Sequence, residues 1–502
     1  MAGVCRHAAP YDRRGAGEEV RSGSVIRIRY GIQFKYIYFF FLPITLTGYF
    51  MLRSVKSRNL WLLFMSCFFY IFGGAVFFPI IVYTVLLNYA GGCLLACARA
   101  AGREMLGRYV FAGTVVLNLL SLGYWKYTGF LMQIVSDLTG WQFAIPEITL
   151  PIGISFFTFQ GMSYVIDLYR GEVAVQRNIL KLGLYIALFP QLIAGPIVRY
   201  SDIERQLDDR KHRLDDMAAG IRIFTVGLAE KAVIANSAAL TADAVFEMQP
   251  WQNSPGIAWL GLIFYTIQLY FDFSGYSDMA VGLGRMFGFR FPGNFNYPFT
   301  SRSGSELWRR WHISLSSWFR DYVYIPLGGS RRGNVYLNLL CVFVLTGFWH
   351  GAAWNYVLWG LYWGIIVAAE RFVSGRTGGK VRISGIVAWA YAMLLWLVSM
   401  VIFRTGSLQG CSLYLRSMFG LLERRDAGFS LAYYISAYEI FILALGFAAM
   451  MPWGSRCRLF VKERVSEIWF ALLENAVTLL LLGVSVLYVV TGTYNPFIYF
   501  QF

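Results

Sequence analysis

Only 14% of the 502 residues are charged and 57% are hydrophobic, where an ordinary soluble domain is roughly 25% charged; this excludes a soluble enzyme and predicts a polytopic membrane protein. Aromatic residues make up 18%, which fits the belts at membrane–water boundaries. The formal charge of +16 would suit a nucleic-acid binder, but the basic residues sit in short loops between apolar segments, where topology places them. No nucleic-acid partner is expected.

In chain order, residues 1–25 are arginine-rich, contain Asp12, Glu18 and Glu19, and lack an apolar run. A signal peptide needs such a run, so a disordered basic cytoplasmic tail is expected here, with residues 26–502 forming one transmembrane domain. Apolar segments recur at about 36–52, 60–72, 76–98, 109–125, 152–169, 178–198, 221–240, 255–280, 336–349, 351–369, 385–403, 432–451 and 468–490. Span length predicts an all-α fold with roughly 10 to 12 crossings of the lipid bilayer. Segments interrupted at Phe189-Pro190 and Gly195-Pro196 are expected to re-enter instead of crossing, because backbone groups in a bilayer must be satisfied internally.

Basic loops cluster at Arg53–Arg58, Arg99–Arg108, Arg199–Arg222, Arg285–Arg332, Arg371–Arg382 and Arg456–Arg464, and the positive-inside rule places them in the cytoplasm. Within them, Ser201–Asp216 reads as a solvated helix with His212 structural. The seven cysteines fall mostly in apolar runs and lack histidine or acidic companions, so neither a disulfide framework nor a metal site is expected. No internal repeat of the kind common in transporters is evident.

Gly282, Gly284 and Gly288 miss the dinucleotide-binding spacing and follow a membrane helix instead of a strand; small residues there suit close helix packing. Asp272 and Asp278 lie beside an apolar span, where positioning a reaction centre and capping a helix end remain open alternatives. Ser303 and Glu306 have capping-box spacing, which predicts a helix carrying Trp308, Trp311, His312, Leu315 and Phe319 on one stripe, with Arg309, Arg310 and Arg320 off it. His312 then faces inward, as a functional group or as a satisfied packing histidine.

From Tyr336 to Ala369 there is no charged residue except His350. That run would be roughly 50 Å long as one helix, against a core of about 30 Å, so a break is expected, marked by Gly347 and Gly351. A half-helix starting near Arg331-Arg332 carries His350 deep into the membrane. An ionisable group at that depth is by default functional, the alternative being a histidine bonded to a neighbouring helix for packing.

The stretches Leu192–Pro196, Phe271–Ala280, Trp308–Ser316, Phe348-Trp349-His350-Gly351 and Pro496–Phe502 together resemble the membrane-bound O-acyltransferase family, in the branch of the bacterial alginate O-acetyltransferase membrane subunits. The resemblance covers the chain after about Gln33. It implies a catalytic core at about 270–370, with re-entrant and amphipathic helices around a central tunnel. It also implies acyl transfer, most simply acetyl, to a cell-surface polysaccharide at the bacterial plasma (inner) membrane. The family's catalytic histidine maps onto His350 and its second functional position onto His312.

Chemically, His350 is expected as general base and His312 as a group that orients the donor or polarises its carbonyl. Arg309 and Arg310 would attract a phosphate-bearing donor or snorkel at the interface, and Trp308, Trp311, Trp349 and Asp272 complete the candidate substrate contacts. No bound cofactor or metal is expected. The expected partners are acetyl-CoA or an acyl carrier protein thioester on the cytoplasmic side, an extracytoplasmic accessory acyltransferase, and the polysaccharide acceptor. The rival readings are a lipid or sugar transporter or flippase, and a non-catalytic scaffold for a surface-polymer machine.

Overall fold

The computed structural model describes residues 36–193, 195–378, 384–423 and 430–492. The tail at 1–25 and the Pro496–Phe502 motif lie outside them. Every regular element among the described residues is helical, so the fold is all-α and polytopic.

After a π turn at Ile37–Phe41 come α1 (Leu42–Met51), α2 (Val55–Gly74), α3 (Phe78–Ala100) and α4 (Glu104–Thr139). Next are α5 (Ile154–Arg170), α6 (Ile179–Ala187), α7 (Leu214–Ala229), a π turn at Glu230–Ala235, α8 (Asn236–Phe246) and the 32-residue α9 (Pro255–Met286). Two one-to-two-turn helices follow, α10 (Gly304–Arg310) and α11 (Ile313–Phe319), then α12 (Val335–His350) and α13 (Trp354–Thr377). The chain continues through α14 (Gly385–Arg404), α15 (Leu408–Met418), α16 (Ala437–Met450), α17 (Trp453–Lys462) and α18 (Glu467–Thr491).

Among the described residues six helical stretches are long and apolar enough to cross a membrane, or seven if α16 and α17, bent by 65°, are one broken span. One of the six is the 46-residue run Val55–Ala100, which would be about 70 Å as a single helix. A 3₁₀ turn at Ala75–Phe77 divides it into α2 and α3. The sequence expectation of 10 to 12 also counted shorter apolar helices, such as the 17-residue α5, the 16-residue α12 and the 14-residue α16.

The axis of the bundle is α9. In its most apolar window 78% of residues are buried, against 22% in α4 and 6% in α18, whose side chains face outward as a lipid-exposed helix must. Glycines set the contact between α7 and α9. A Cβ on Gly275 would lie 2.6 Å from Gly227 O, and one on Gly282 would lie 2.6 Å from Gly220 O. The two helices therefore touch backbone to backbone at two points a heptad apart, as close packing in membranes favours. This is the role the sequence suggested for Gly282.

The polar stretch 201–216 is not one solvated helix. It breaks into Tyr200–Ile203, a 3₁₀ turn at Arg205–Leu207 and a loop before α7, because Ile203, Leu207 and Arg210 are buried. Arg210 donates to Asn59 Oδ1 at 2.6 Å and lies over the Phe289 ring. His212 ties three elements together: its Nδ1 is 2.8 Å from Arg58 Nη1, and its Nε2 is 2.7 Å from Tyr49 Oη, which donates to Phe287 O at 2.5 Å.

Candidate active site

The site is built from two broken helices. The first break is at His312. Ser303 Oγ accepts from Glu306 N at 3.0 Å and starts α10, while the Glu306 carboxylate reaches one residue past the usual partner, to Arg302 N. The helix stops at Arg310 instead of running on through the expected stripe. His312 sits at φ 45° and ψ 54°, a left-handed conformation uncommon for a residue with a Cβ, and α11 starts anew behind it.

Consequently the stripe residues do not share one helix face. Trp308 packs on Phe343, Trp359 and Trp363. Trp311 packs on Tyr270, Phe295, Phe299 and Trp396. Leu315, Trp318 and Phe319 pack on Phe156, Phe159 and Trp349.

Asn294 holds the break together. Its Oδ1 lies 3.1 Å from His312 Nδ1, 3.2 Å from Ser314 N and 2.9 Å from Ser314 Oγ. Its backbone oxygen accepts from Ile313 N at 2.9 Å, and Asn296 N donates to Arg310 O at 2.9 Å. The segment around Asn294 thus supplies partners that the interrupted helix cannot supply to itself, as buried backbone groups require. His312 is 1% exposed, with Phe273 edge-on at 4.6 Å.

The second break follows His350. Asn334 Oδ1 caps the start of α12, accepting from Tyr336 N and Leu337 N. The helix runs about 24 Å at 1.5 Å per residue and ends at His350, Gly351 is extended at φ −164°, and α13 returns alongside. The sequence placed the break at Gly347 and Gly351; the structure leaves Gly347 helical. A Cβ there would strike Tyr356 O and lie 3.0 Å from Gly360 Cα, and one on Gly360 would strike Phe343 O. Gly347 therefore serves contact within the α12–α13 hairpin.

The last carbonyls of a helix have no partner within it, and here one turn of α4 supplies them. Lys126 Nζ donates to Trp349 O at 2.5 Å and His350 O at 3.1 Å. Tyr127 Oη donates to Phe348 O at 2.8 Å, and its ring stacks on Phe348 at 4.1 Å. The half-buried His350 ring is surrounded by Trp349, Trp359 and Phe403 at 5.0, 5.2 and 5.4 Å. Trp349 is also 6.1 Å from the His312 ring. One indole thus separates the two imidazoles, and the structure brings together His312, His350 and Trp349 as a unit.

The other candidates lie elsewhere around it. Asp272 forms a buried ion pair with Lys231 at 2.5 Å, tying α9 to the π turn, and Ser274 Oγ donates to Glu230 in the same layer at 2.6 Å. Arg310 pairs with Glu306 at 2.9 Å, and Arg309 is exposed. Sequence reasoning missed Asn294 and Lys126. Lys126 stands one residue past the apolar segment 109–125, while the helix continues to Thr139. An ionisable residue inside a helix that long was the available signal. For Asn294 no local signal exists, since its role depends on residues that only the fold brings to it.

The description of the membrane-bound O-acyltransferase family matches residues 172–405. The "Probable alginate O-acetylase AlgI" of Pseudomonas putida is 39% identical over 487 residues, covering 92% of this chain and 98% of that relative. The chain belongs to the membrane-bound O-acyltransferase family. As such a protein it is an acyltransferase and an integral multi-pass membrane protein, and its two broken helices fall within the matched residues. The "Peptidoglycan O-acetyltransferase" of Helicobacter pylori is 34% identical over 76% of this O-acyltransferase and 78% of its own length. The "Teichoic acid D-alanyltransferase" of Bacillus subtilis is 30% identical over 53% and 68%. These relatives differ in the acyl group and the polymer their names state, and share transfer to a cell-surface polymer.

Proposed function

We propose that this O-acyltransferase transfers an acetyl group from a cytoplasmic thioester, acetyl-CoA or an acyl-carrier thioester, towards a hydroxyl of an extracytoplasmic polysaccharide, directly or through an accessory acyltransferase, in the bacterial plasma membrane. The observation that carries this reading is the α12–α13 hairpin. It leaves the basic Arg331-Arg332 side and returns to Arg371 and Arg376, so both ends belong on the cytoplasmic face. His350 stands at the apex, about 24 Å along α12, where a thioester arm from one side and a hydroxyl from the other can meet. Acetyl is favoured over amino-acyl because the O-acetyl relatives align over 74–92% of the chain, and the D-alanyl relatives over 43–53%.

In this reading His350 takes the proton of the acceptor hydroxyl as its oxygen attacks the thioester carbonyl. The C–S bond then breaks, and the leaving thiolate takes the proton back, so no net proton is consumed. General-base assistance contributes typically 10²–10⁴-fold. The test is thiol release from acetyl-CoA by membrane vesicles carrying the chain with its acceptor: His350→Ala should lose on the order of 10²-fold or more while still inserting. Transfer at the wild-type rate by His350→Ala overturns the assignment, and a transporter or scaffold would release no thiol at all.

A further inference from the structure

The hydrogen-bond directions around Asn294 can be read from which atoms are able only to donate. Ser314 N is a backbone donor 3.2 Å from the Asn294 side-chain atom facing it, so that atom is the amide oxygen. The amide nitrogen faces the other way and donates to Ser277 Oγ at 3.0 Å. Ser314 Oγ accepts from Ile197 N at 3.0 Å and donates to the same Asn294 oxygen at 2.9 Å. His312 Nδ1, 3.1 Å from an oxygen with no hydrogen to offer, must therefore carry the proton. A neutral imidazole protonated on Nδ1 has its lone pair on Nε2. His312 Nε2 is buried and has no hydrogen-bond partner among the described residues. The neighbouring rings of Phe273, Phe295 and Trp349 offer no conventional acceptor for an Nε2–H.

We propose that Asn294 is a positioning residue that fixes the tautomer of His312, so that Nε2 is a bare acceptor which receives an O–H of the polysaccharide acceptor next to the one His350 deprotonates, and cannot polarise the donor carbonyl. Polarising a carbonyl needs an N–H at Nε2, and the only proton of the neutral ring is already committed to Asn294. This inference rests on the reading that His312 lies at the reaction centre. It reverses the role expected from sequence, where His312 was to serve the donor. The backbone at Ile197 bonds to Ser314 Oγ and braces the cradle. α9 through Ser277 and α11 through Ser314 thus meet on one amide, and Ile197 braces Ser314 from behind.

The tautomer can be measured independently of activity. The chain has four histidines, so in protein labelled with ¹⁵N-histidine and placed in lipid nanodiscs, the His312 signals are those lost in His312→Gln. The expected wild-type spectrum has Nδ1 protonated and Nε2 bare. Asn294→Leu should lose that preference and lower kcat for acetyl-CoA-dependent transfer on the order of 10²-fold, with KM for acetyl-CoA little changed. Asn294→Asp keeps an acceptor for Nδ1–H, so it should retain the tautomer. It should also move the acid limb of the rate–pH profile upward, because a carboxylate favours the imidazolium.

An Nε2-protonated His312 in the wild type overturns the proposal, as does an Asn294→Leu protein with unchanged tautomer and kcat. If Asn294→Leu fails to insert, an unshifted pH profile in Asn294→Asp overturns it alone. Full transfer by His312→Gln would instead defeat the underlying reading of the site, whatever the tautomer proves to be.

Discussion

Lys126 places a positive charge on a membrane-crossing helix, where an unpaired ammonium is costly, yet its partners are backbone oxygens instead of a carboxylate. A helix C-terminus carries partial negative charge on those free carbonyls, and both the charge and the hydrogen bonds act at the end of α12, on the Trp349 and His350 oxygens. Lys126→Met should therefore destabilise the fold by about 1.5–3 kcal/mol, the range for a hydrogen bond to a charged group. It should also slow transfer on the order of 10²-fold through misplacement of the imidazole. Thermal melting in detergent and thiol release check the two effects, and an unchanged rate would show that the cap is dispensable.

His212 is a second residue whose bonds fix its state. With Arg58 donating to Nδ1, its remaining proton points to Tyr49, and burial together with Arg58 and Arg210 lowers its pKa below the usual histidine value. A lowered folded-state pKa means the unfolded chain binds the proton first. The junction's stability is accordingly complete above about pH 6.5 and is lost as pH falls towards the lower folded-state value. Melting temperature should drop between pH 7.5 and 5.5 in the wild type, and His212→Gln should flatten that drop.

At the scale of elements, both breaks trade helix regularity for position, and both are supported from outside the helix concerned. The α12–α13 hairpin depends on glycines that let the two backbones touch, so Gly347→Val should force them apart and abolish folded protein. Gly375→Val, on the same hairpin with no neighbour within 4 Å of a Cβ, should leave expression and transfer intact. Expression and size-exclusion profiles distinguish the two, and a well-folded Gly347→Val would mean that the contact is not required.

The His350 break was legible because length and the absence of charge made a single span physically untenable. Its position was only half legible, since a glycine that breaks a helix and one that packs a helix look alike until the neighbour is known. The His312 break was not legible. The spacing of Trp308, Trp311, His312, Leu315 and Phe319 satisfies a helical period, and what overrides it is a set of hydrogen bonds from Asn294, distant in sequence from the stripe's first residue.

For the whole molecule, the membrane class followed from composition and the all-α fold from the lengths of the apolar segments, whereas the number of crossings did not follow, because a 14-to-17-residue apolar helix can cross, re-enter or pack internally. Orientation is open to direct measurement. On a background with the seven native cysteines replaced, Ser330→Cys in the exposed loop before α12 should react with a membrane-impermeant thiol reagent only from the cytoplasmic side. Ala353→Cys at the hairpin apex should react only from the outside or through a water-filled passage. Reaction of Ser330→Cys from outside would invert the topology and remove the two-sided route to His350.

The family match begins at residue 172, yet the end of the helix bearing His350 is held by Lys126 and Tyr127 from the preceding part of the chain. The portion that carries the family signature is therefore not the smallest portion able to work. Cut to residues 172–405, the chain would leave the Phe348, Trp349 and His350 carbonyls facing hydrocarbon. The N-terminal helices act less as an anchor than as a splint on the break that follows His350.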